Sequence, residues 1–291
     1  MTGASARLTT TQRWPALLLL AAGALLPQAA AHACPGPAGA APDGAALLAA
    51  AWTGDGALLL SDGRSLVPAG LALPTALDPP EFQGRSQAAA EAVLDGRFIV
   101  PSGTSRDRHR RLVGDARLWP LPGSEREAAG ADGSLSVALL AAGAGFADPG
   151  ATPACADALL AAERVARQGR RGIFAGADAV AAAHDHDRLG RRAGLFTVVE
   201  GRVREAGATR DKVFLNFGSR WREDFTIVLP AGDFATILGD GLAPAMLPGT
   251  LVSVRGVVRM DGGPAIFVRS RHEILILDGP VTAKAKEDTA R

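Results

Sequence analysis

From Ala57 onward the chain alternates short apolar runs with turn signals. Leu58-Leu59-Leu60, the turn Ser61-Asp62-Gly63-Arg64 and the run Ser65 to Leu71 predict a β-hairpin. Gln87 to Leu94 is rich in Ala and Glu and predicts a helix ending before Asp95-Gly96. Arg97 to Val100 reads as a strand stopped by Pro101, and Arg111 to Leu118 as another, with Asp132-Gly133 marking a turn. Ser134 to Ala142 and Cys155 to Gln168 carry helical periodicity and stop at Gly143 and Gly169. Beyond Leu195 the pattern is almost all strand. Phe196 to Val203, Lys212 to Phe217 and Asp224 to Leu229 precede a short helix at Ala231 to Leu238. Thr250 to Val258, Ala265 to Arg269 and Glu273 to Leu277 follow it, with Asp261-Gly262-Gly263 as a hairpin turn. Three strands, a helix and two further strands is the order of an OB barrel. The fold expected is mainly β with helices (α+β): two OB-type five-stranded barrels, the first decorated by helices.

The start of the chain reads as an address. Arg7 and Arg13 precede an apolar run from Pro15 to Leu26, and Ala31-His32-Ala33 offers small residues for cleavage. That run falls short of the ~20 residues that span a bilayer. Residues 1–33 are therefore expected to be a signal peptide and the mature protein to be periplasmic or secreted. Residues 34–49 read as a loose Pro/Gly/Ala-rich leader, 50–175 and 195–278 as two domains, 176–194 as a linker and 279–291 as a flexible tail. The cysteines are Cys34 and Cys155. In an oxidising compartment they can form one disulfide, closing a loop of about 120 residues. Alternatively Cys34 carries a lipid anchor, although Ala31 stands where a large aliphatic residue is usual.

Charge and composition narrow the partners. With 31 basic and 30 acidic residues the formal net charge is +1, which argues against indiscriminate nucleic-acid binding through a basic surface. Tyr is absent and aromatics make up 5%, so stacking platforms for bases are few. Local clusters stand out instead. Arg106, Arg108, His109, Arg110 and Arg111 could hold a phosphate or could form a solvated turn beside Asp107 and Asp115. Arg220-Trp221-Arg222 could stack on a base or cap a barrel core. His184-Asp185-His186-Asp187 has metal-ligand residue types but no further ligands in sequence, and otherwise reads as a solvated linker. No nucleophile elbow, P-loop or dinucleotide fingerprint occurs.

Across residues 50–175 the chain resembles the thermonuclease (micrococcal-nuclease-like) family. The matching stretches, in order, are Gly54-Asp55-Gly56-Ala57-Leu58, Asp62-Gly63-Arg64, Ala69-Gly70-Leu71-Ala72-Leu73-Pro74 and Asp107-Arg108-His109-Arg110-Arg111-Leu112. They continue with Asp132-Gly133 through Phe146, and Cys155 through Gly172-Ile173-Phe174. The region from Val213 to Thr226 is similar to the second OB-type domain of an exported subgroup. The resemblance implies calcium-assisted phosphodiester hydrolysis. That chemistry needs carboxylates for a hard cation and a water, and guanidinium groups for the phosphoryl oxygens. The motifs place those roles at Val67, Ala72, Thr75 and Gly56, none of which has the required group, and at Arg111, which does. Asp55 stands one position off. Asp78 and Glu81 lie in what reads as a solvated loop, and Glu81 is the available substitute base, with Arg85 close by. The function expected is that of a non-catalytic binding module for nucleic acid, another polyanion or an envelope partner, with no cofactor. One alternative is an active phosphodiesterase that holds calcium through rearranged ligands, Asp55 among them. Another is a structural or protein-interaction module of the cell envelope.

Overall fold

The computed structural model describes residues 49–53, 56–121, 132–220 and 222–279. The expected signal peptide and nearly all of the leader, together with Cys34, Asp55, Trp221 and the tail from residue 280, lie outside them. The fold is mixed α and β with sheet predominating.

The N-terminal part contains β1 (Ala49–Trp52), β2 (Leu58–Leu60), β3 (Ser65–Pro68), β4 (Leu71–Ala72) and α1 (Pro80–Leu94). It continues with β5 (Arg97–Arg106), β6 (Leu112–Pro120), β7 (Asp132–Ser134), α2 (Leu135–Ala142), β8 (Phe146–Ala147) and α3 (Ala156–Gln168). One sheet runs β1-β2-β3-β6-β5, with β7 added along β6, and β3 and β6 are parallel. Strand β6 alternates buried and half-buried positions, so Leu112, Ala116 and Leu118 share the inner face. They meet Leu135, Leu139 and Leu140 of α2 and Leu159 of α3 in one core. The helices end as their residues require. The Ser134 hydroxyl accepts the Val137 N–H at the start of α2, and Gly143 closes it in the left-handed conformation at φ 80°. A Cβ at Gly143 would collide with the Arg171 carbonyl, so only glycine fits there.

Two elements differ from expectation. Helix α1 begins at Pro80 rather than Gln87, because proline at the first helical position needs no N–H partner. Strand β5 does not stop at Pro101 but runs on to Arg106, with a bulge between Ser102 and Ser105. At the edge of the sheet path the missing N–H of Pro101 is tolerated.

The C-terminal part contains β9 (Ala181–Ala182), α4 (His186–Arg191), β10 (Phe196–Arg202), β11 (Glu205–Ala208), β12 (Lys212–Asn216) and β13 (Thr226–Pro230). After it come α5 (Phe234–Leu238), β14 (Leu251–Val257), β15 (Arg259–Asp261), β16 (Gly263–Phe267) and β17 (Ile274–Asp278). Two sheets form, β17-β14-β10-β9 and β11-β12-β13-β16-β15. The chain passes between the sheets after β10, β13, β14 and β16. The result is barrel-like, around Leu215, Phe225, Ile227, Val252 and Ile266. The stretch 176–194 is packed structure rather than a solvated linker. Its β9 pairs in parallel with β10, and Ala181 and Leu189 are fully buried. Asp185 caps α4 by accepting the Arg188 N–H, so His184 to Asp187 open a helix.

The two parts share a third apolar cluster of Phe82, Phe146, Phe174, Ala179 and Val198. Beside it Glu163 of α3 meets Arg255 of β14 at 2.8 Å, both almost fully buried. Cys155, just before α3, is disulfide-bonded. Asp148, which follows β8, has its carboxyl pushed above its usual 3.8 by burial. The N–H groups of Ala151 and Gly150 and the Arg255 charge pull the other way without cancelling it. A raised folded-state pKa means stability that is fully present below 3.8 and lost as pH rises through the folded value. Asp148→Asn should therefore match or exceed the parent in stability at pH 7, with a flatter rise on acidification. Thermal midpoints measured from pH 3 to 8 check this, and a variant destabilised only at neutral pH contradicts it.

Candidate functional site

The basic cluster forms the tip between β5 and β6, and Asp107 organises it. Its carboxylate accepts the N–H groups of His109 at 2.8 Å and Arg111 at 2.9 Å, and the Arg111 Nε at 2.7 Å. Burial acts to raise the Asp107 carboxyl, but the Arg111 side chain and the two N–H donors outweigh it and hold it below the usual range. Arg110 sits at φ 64°, in the left-handed region that a tight turn needs. Arg106 Nη1 donates to the Arg110 carbonyl, and Arg108 Nε to His109 Nε2. Arg111 is half-buried against Asp107, whereas Arg108, His109 and Arg110 project into solvent. The tip is a pre-shaped display of cations.

The positions where the resemblance puts catalytic tools are engaged otherwise. Val67 on β3 pairs with Val113, two residues beyond Arg111, so the strands do bring this position close to the surviving Arg. Ala72 pairs with Phe146 between β4 and β8 and packs at the aromatic cluster. The Thr75 N–H and hydroxyl both bind the Asp78 carboxylate, at 2.9 and 3.2 Å. Asp78 is not in a solvated loop: it is 6% exposed and pairs with Arg192 at 2.6 Å. Arg192 also donates to the Thr197 hydroxyl and the Phe196 carbonyl. Glu81 is not in a loop either; it occupies the first turn of α1 and is exposed. Arg85 binds Asp178 at 2.5 Å. Among the described residues, no group of three or more His, Cys, Asp or Glu side chains is arranged to hold a metal ion.

In the Arg220 to Arg222 region the loop winds about Asp224, whose carboxylate takes the Arg220 N–H and lies 3.1 Å from His186 Nε2. Gly218 is required there, since a Cβ would overlap that carboxylate. The Arg220 guanidinium pairs with Glu223 at 2.9 Å on the surface. His186 is thereby a partner for Asp224.

A groove that pattern reading missed crosses the second sheet. Phe214 and Asn216 of β12 and Thr226 and Val228 of β13 line a cavity of about 390 Å³, together with Thr209 and Asp261. On the same sheet Phe267 is flanked by Lys212 Nζ at 5.8 Å and Arg259 Cζ at 5.3 Å from its ring centre. This is an aromatic surface with cations beside it, suited to a flat, negatively charged ligand. The available signal was the alternation in β12, where Val213 and Leu215 are buried and Phe214 and Asn216 face outward.

No family profile matches the chain, and no curated protein matches it in sequence. Among solved structures, the aspartyl tRNA synthetase from Entamoeba histolytica matches at 12% identity with a TM-score of 0.25, over 37% of this chain. This chain spans only 27% of the synthetase. The OBody AM1L10 bound to hen egg-white lysozyme matches at 21% identity with a TM-score of 0.25, over 35% of this chain and 98% of its own. At that level neither likeness bears on what this chain does.

Proposed function

We propose that this chain is an exported, thermonuclease-like protein of two OB-type barrels that binds a polyanion, nucleic acid foremost, without cutting it. Strand order supports the barrels. In the N-terminal sheet the meander β1-β2-β3 meets the antiparallel pair β5–β6 through the parallel strands β3 and β6, and α1 lies between β3 and β5 in sequence. In the C-terminal part β13 and β16 repeat the parallel pair, α5 follows β13, and β10 pairs with β14 where a first strand meets a fourth. In OB barrels, oligonucleotides lie on the face of the second and third strands. On the C-terminal sheet that face is the Phe214 groove.

The observation that carries the non-catalytic reading is the chain of contacts Thr75, Asp78, Arg192. The segment that a hydrolase of this kind would load with carboxylates for metal and water is here fastened to the C-terminal part. A cation would have to draw on Asp55 and Glu81, and losing even one electrostatic donor of such a site lowers the rate by ~10²–10³. Binding falls instead to the cations of the β5–β6 tip and to the aromatic groove.

Fluorescence anisotropy with a labelled single-stranded DNA, titrated with salt, tests this. We expect affinity to fall steeply with salt, and Arg108→Ala with Arg110→Ala to reduce the log–log slope by about 1 for each phosphate contact removed. Plasmid incubated with calcium should stay intact, as it does with chelator. Cleavage that requires calcium and disappears in Glu81→Gln overturns the proposal. Absence of salt-dependent binding overturns it in favour of an envelope partner.

A further inference from the structure

Between the N-terminal part and α4 lies a cleft of about 510 Å³, separate from both surfaces described above. Its floor is apolar: Leu77, Phe82 and Phe146, the two rings stacked at 6.1 Å. Its wall is cationic. Arg188, Arg191 and Arg192, spaced three and four residues apart, share one side of α4 and its C-terminal cap. Acidic residues reach the cleft as well, but each is engaged. Asp78 holds Arg192, and Asp178 holds Arg85. Arg188 donates to two neutral acceptors, the carbonyls of Val180 and Asp178. Among the described residues no carboxylate lies within ion-pair distance of Arg188 or Arg191.

Two guanidinium groups thus stand at an apolar cavity with no carboxylate of the described residues in direct ion-pair contact. Burial weakens the hold of Arg188 on its proton, and the charges of Arg192 and Arg191 weaken it further, against the pull of Asp185 and Asp178. A bound anion would relieve that crowding, and a partly dehydrated cleft strengthens the attraction. The apolar floor selects among anions, because a bare inorganic ion would leave it uncovered.

We propose that this cleft binds a small organic anion, with its phosphate or carboxylate head at Arg188 and Arg191 and a flat apolar body against Phe82 and Phe146. The site does not depend on the polyanion reading, and the groups proposed to touch the anion, Arg188, Arg191, Phe82 and Phe146, are none of those assigned to the polyanion.

Calorimetric titration of the full chain tests it, with phenyl phosphate, benzoate, inorganic phosphate and neutral phenol as probes. Phenyl phosphate should bind at one site per chain, at least about tenfold more tightly than inorganic phosphate. Benzoate should bind too, and phenol should give no measurable heat. Replacing Arg188 loosens the Asp178 to Val180 stretch that it holds, so the decisive variant is Arg191→Glu, which breaks no side-chain hydrogen bond or ion pair within the described residues. It should weaken phenyl phosphate by about tenfold or more with an unchanged thermal midpoint. The proposal is overturned if phenyl phosphate gives no heat at millimolar concentration, or if Arg191→Glu binds it as the parent does. It is also overturned if affinity is lost instead in the Arg108→Ala, Arg110→Ala double variant, which would place the anion at the hairpin tip.

Discussion

Replacing Arg255 with alanine is expected to lower unfolding stability by about 3–5 kcal/mol, among the largest single-site losses this protein can show. The reason is what stays behind. Glu163 is 2% exposed, and its carboxylate accepts Arg255 Nη1 at 2.8 Å, Arg255 Nη2 at 3.3 Å, Arg167 Nε at 2.8 Å and the Ala147 N–H at 2.7 Å. Arg255 is 3% exposed and also donates to the Ala147 carbonyl. Without Arg255, the carboxylate keeps the Ala147 N–H and a single cation, the partly exposed Arg167, which is shared with Glu200 at 2.9 Å. The ion pair itself need not be a net gain over apolar packing; the penalty belongs to the orphaned charge. A second variant separates these ideas. Arg255→Met combined with Glu163→Leu removes both charges and should recover most of the loss. Urea unfolding of the parent, the single and the double variants gives the comparison through their midpoints. A loss below about 1 kcal/mol for Arg255→Ala would mean that the pair is solvated after all.

How much of this was legible in the sequence follows the range of each interaction. The longer strands β10, β12, β13, β14, β16 and β17 can be read to within a residue or two at most ends, because β12 and β14 carry their burial pattern locally, whereas the short β9, β11 and β15 cannot. The capping of α2 by Ser134 and Gly143 was legible for the same reason. The sequence pattern shortens helix α1 because Asp78-Pro79-Pro80-Glu81 looks like a loop, although proline is also a good first helical residue. It shortens strand β5 as well, because the tolerance for Pro101 comes from its place at a sheet edge, which depends on how the strands pair. The site was less legible than the fold. The Asp107 turn is local and could be anticipated. The engagement of Asp78 could not, since its partner Arg192 lies 114 residues away. The same holds for Glu163 and Arg255, 92 residues apart. His186 carried metal-ligand chemistry on paper, yet it faces Asp224 from another loop. The Phe214 groove arises only when β12, β13 and β16 are laid side by side.

Asp78→Ala is expected to cost about 3 kcal/mol, at the lower end of what breaking a buried pair costs. The discount has a structural basis. The Arg192 side chain is 15% exposed, and the Thr197 hydroxyl at 2.8 Å and the Phe196 carbonyl at 2.9 Å remain as acceptors. The Thr75 N–H and hydroxyl lose their acceptor at the same time, so the strand-to-helix segment loses a local tie as well as its distant one. Asp78→Asn keeps the side-chain oxygen and removes the charge, and should cost less than Asp78→Ala. Arg192→Ala should resemble Asp78→Ala, and the double variant should be less than additive, because the two side chains share one interaction. Chemical unfolding of this cycle measures the coupling directly. Strict additivity would show that Asp78 and Arg192 do not act together, and the segment from Ala72 to Asp78 would then be free of the tie that sets it against catalysis.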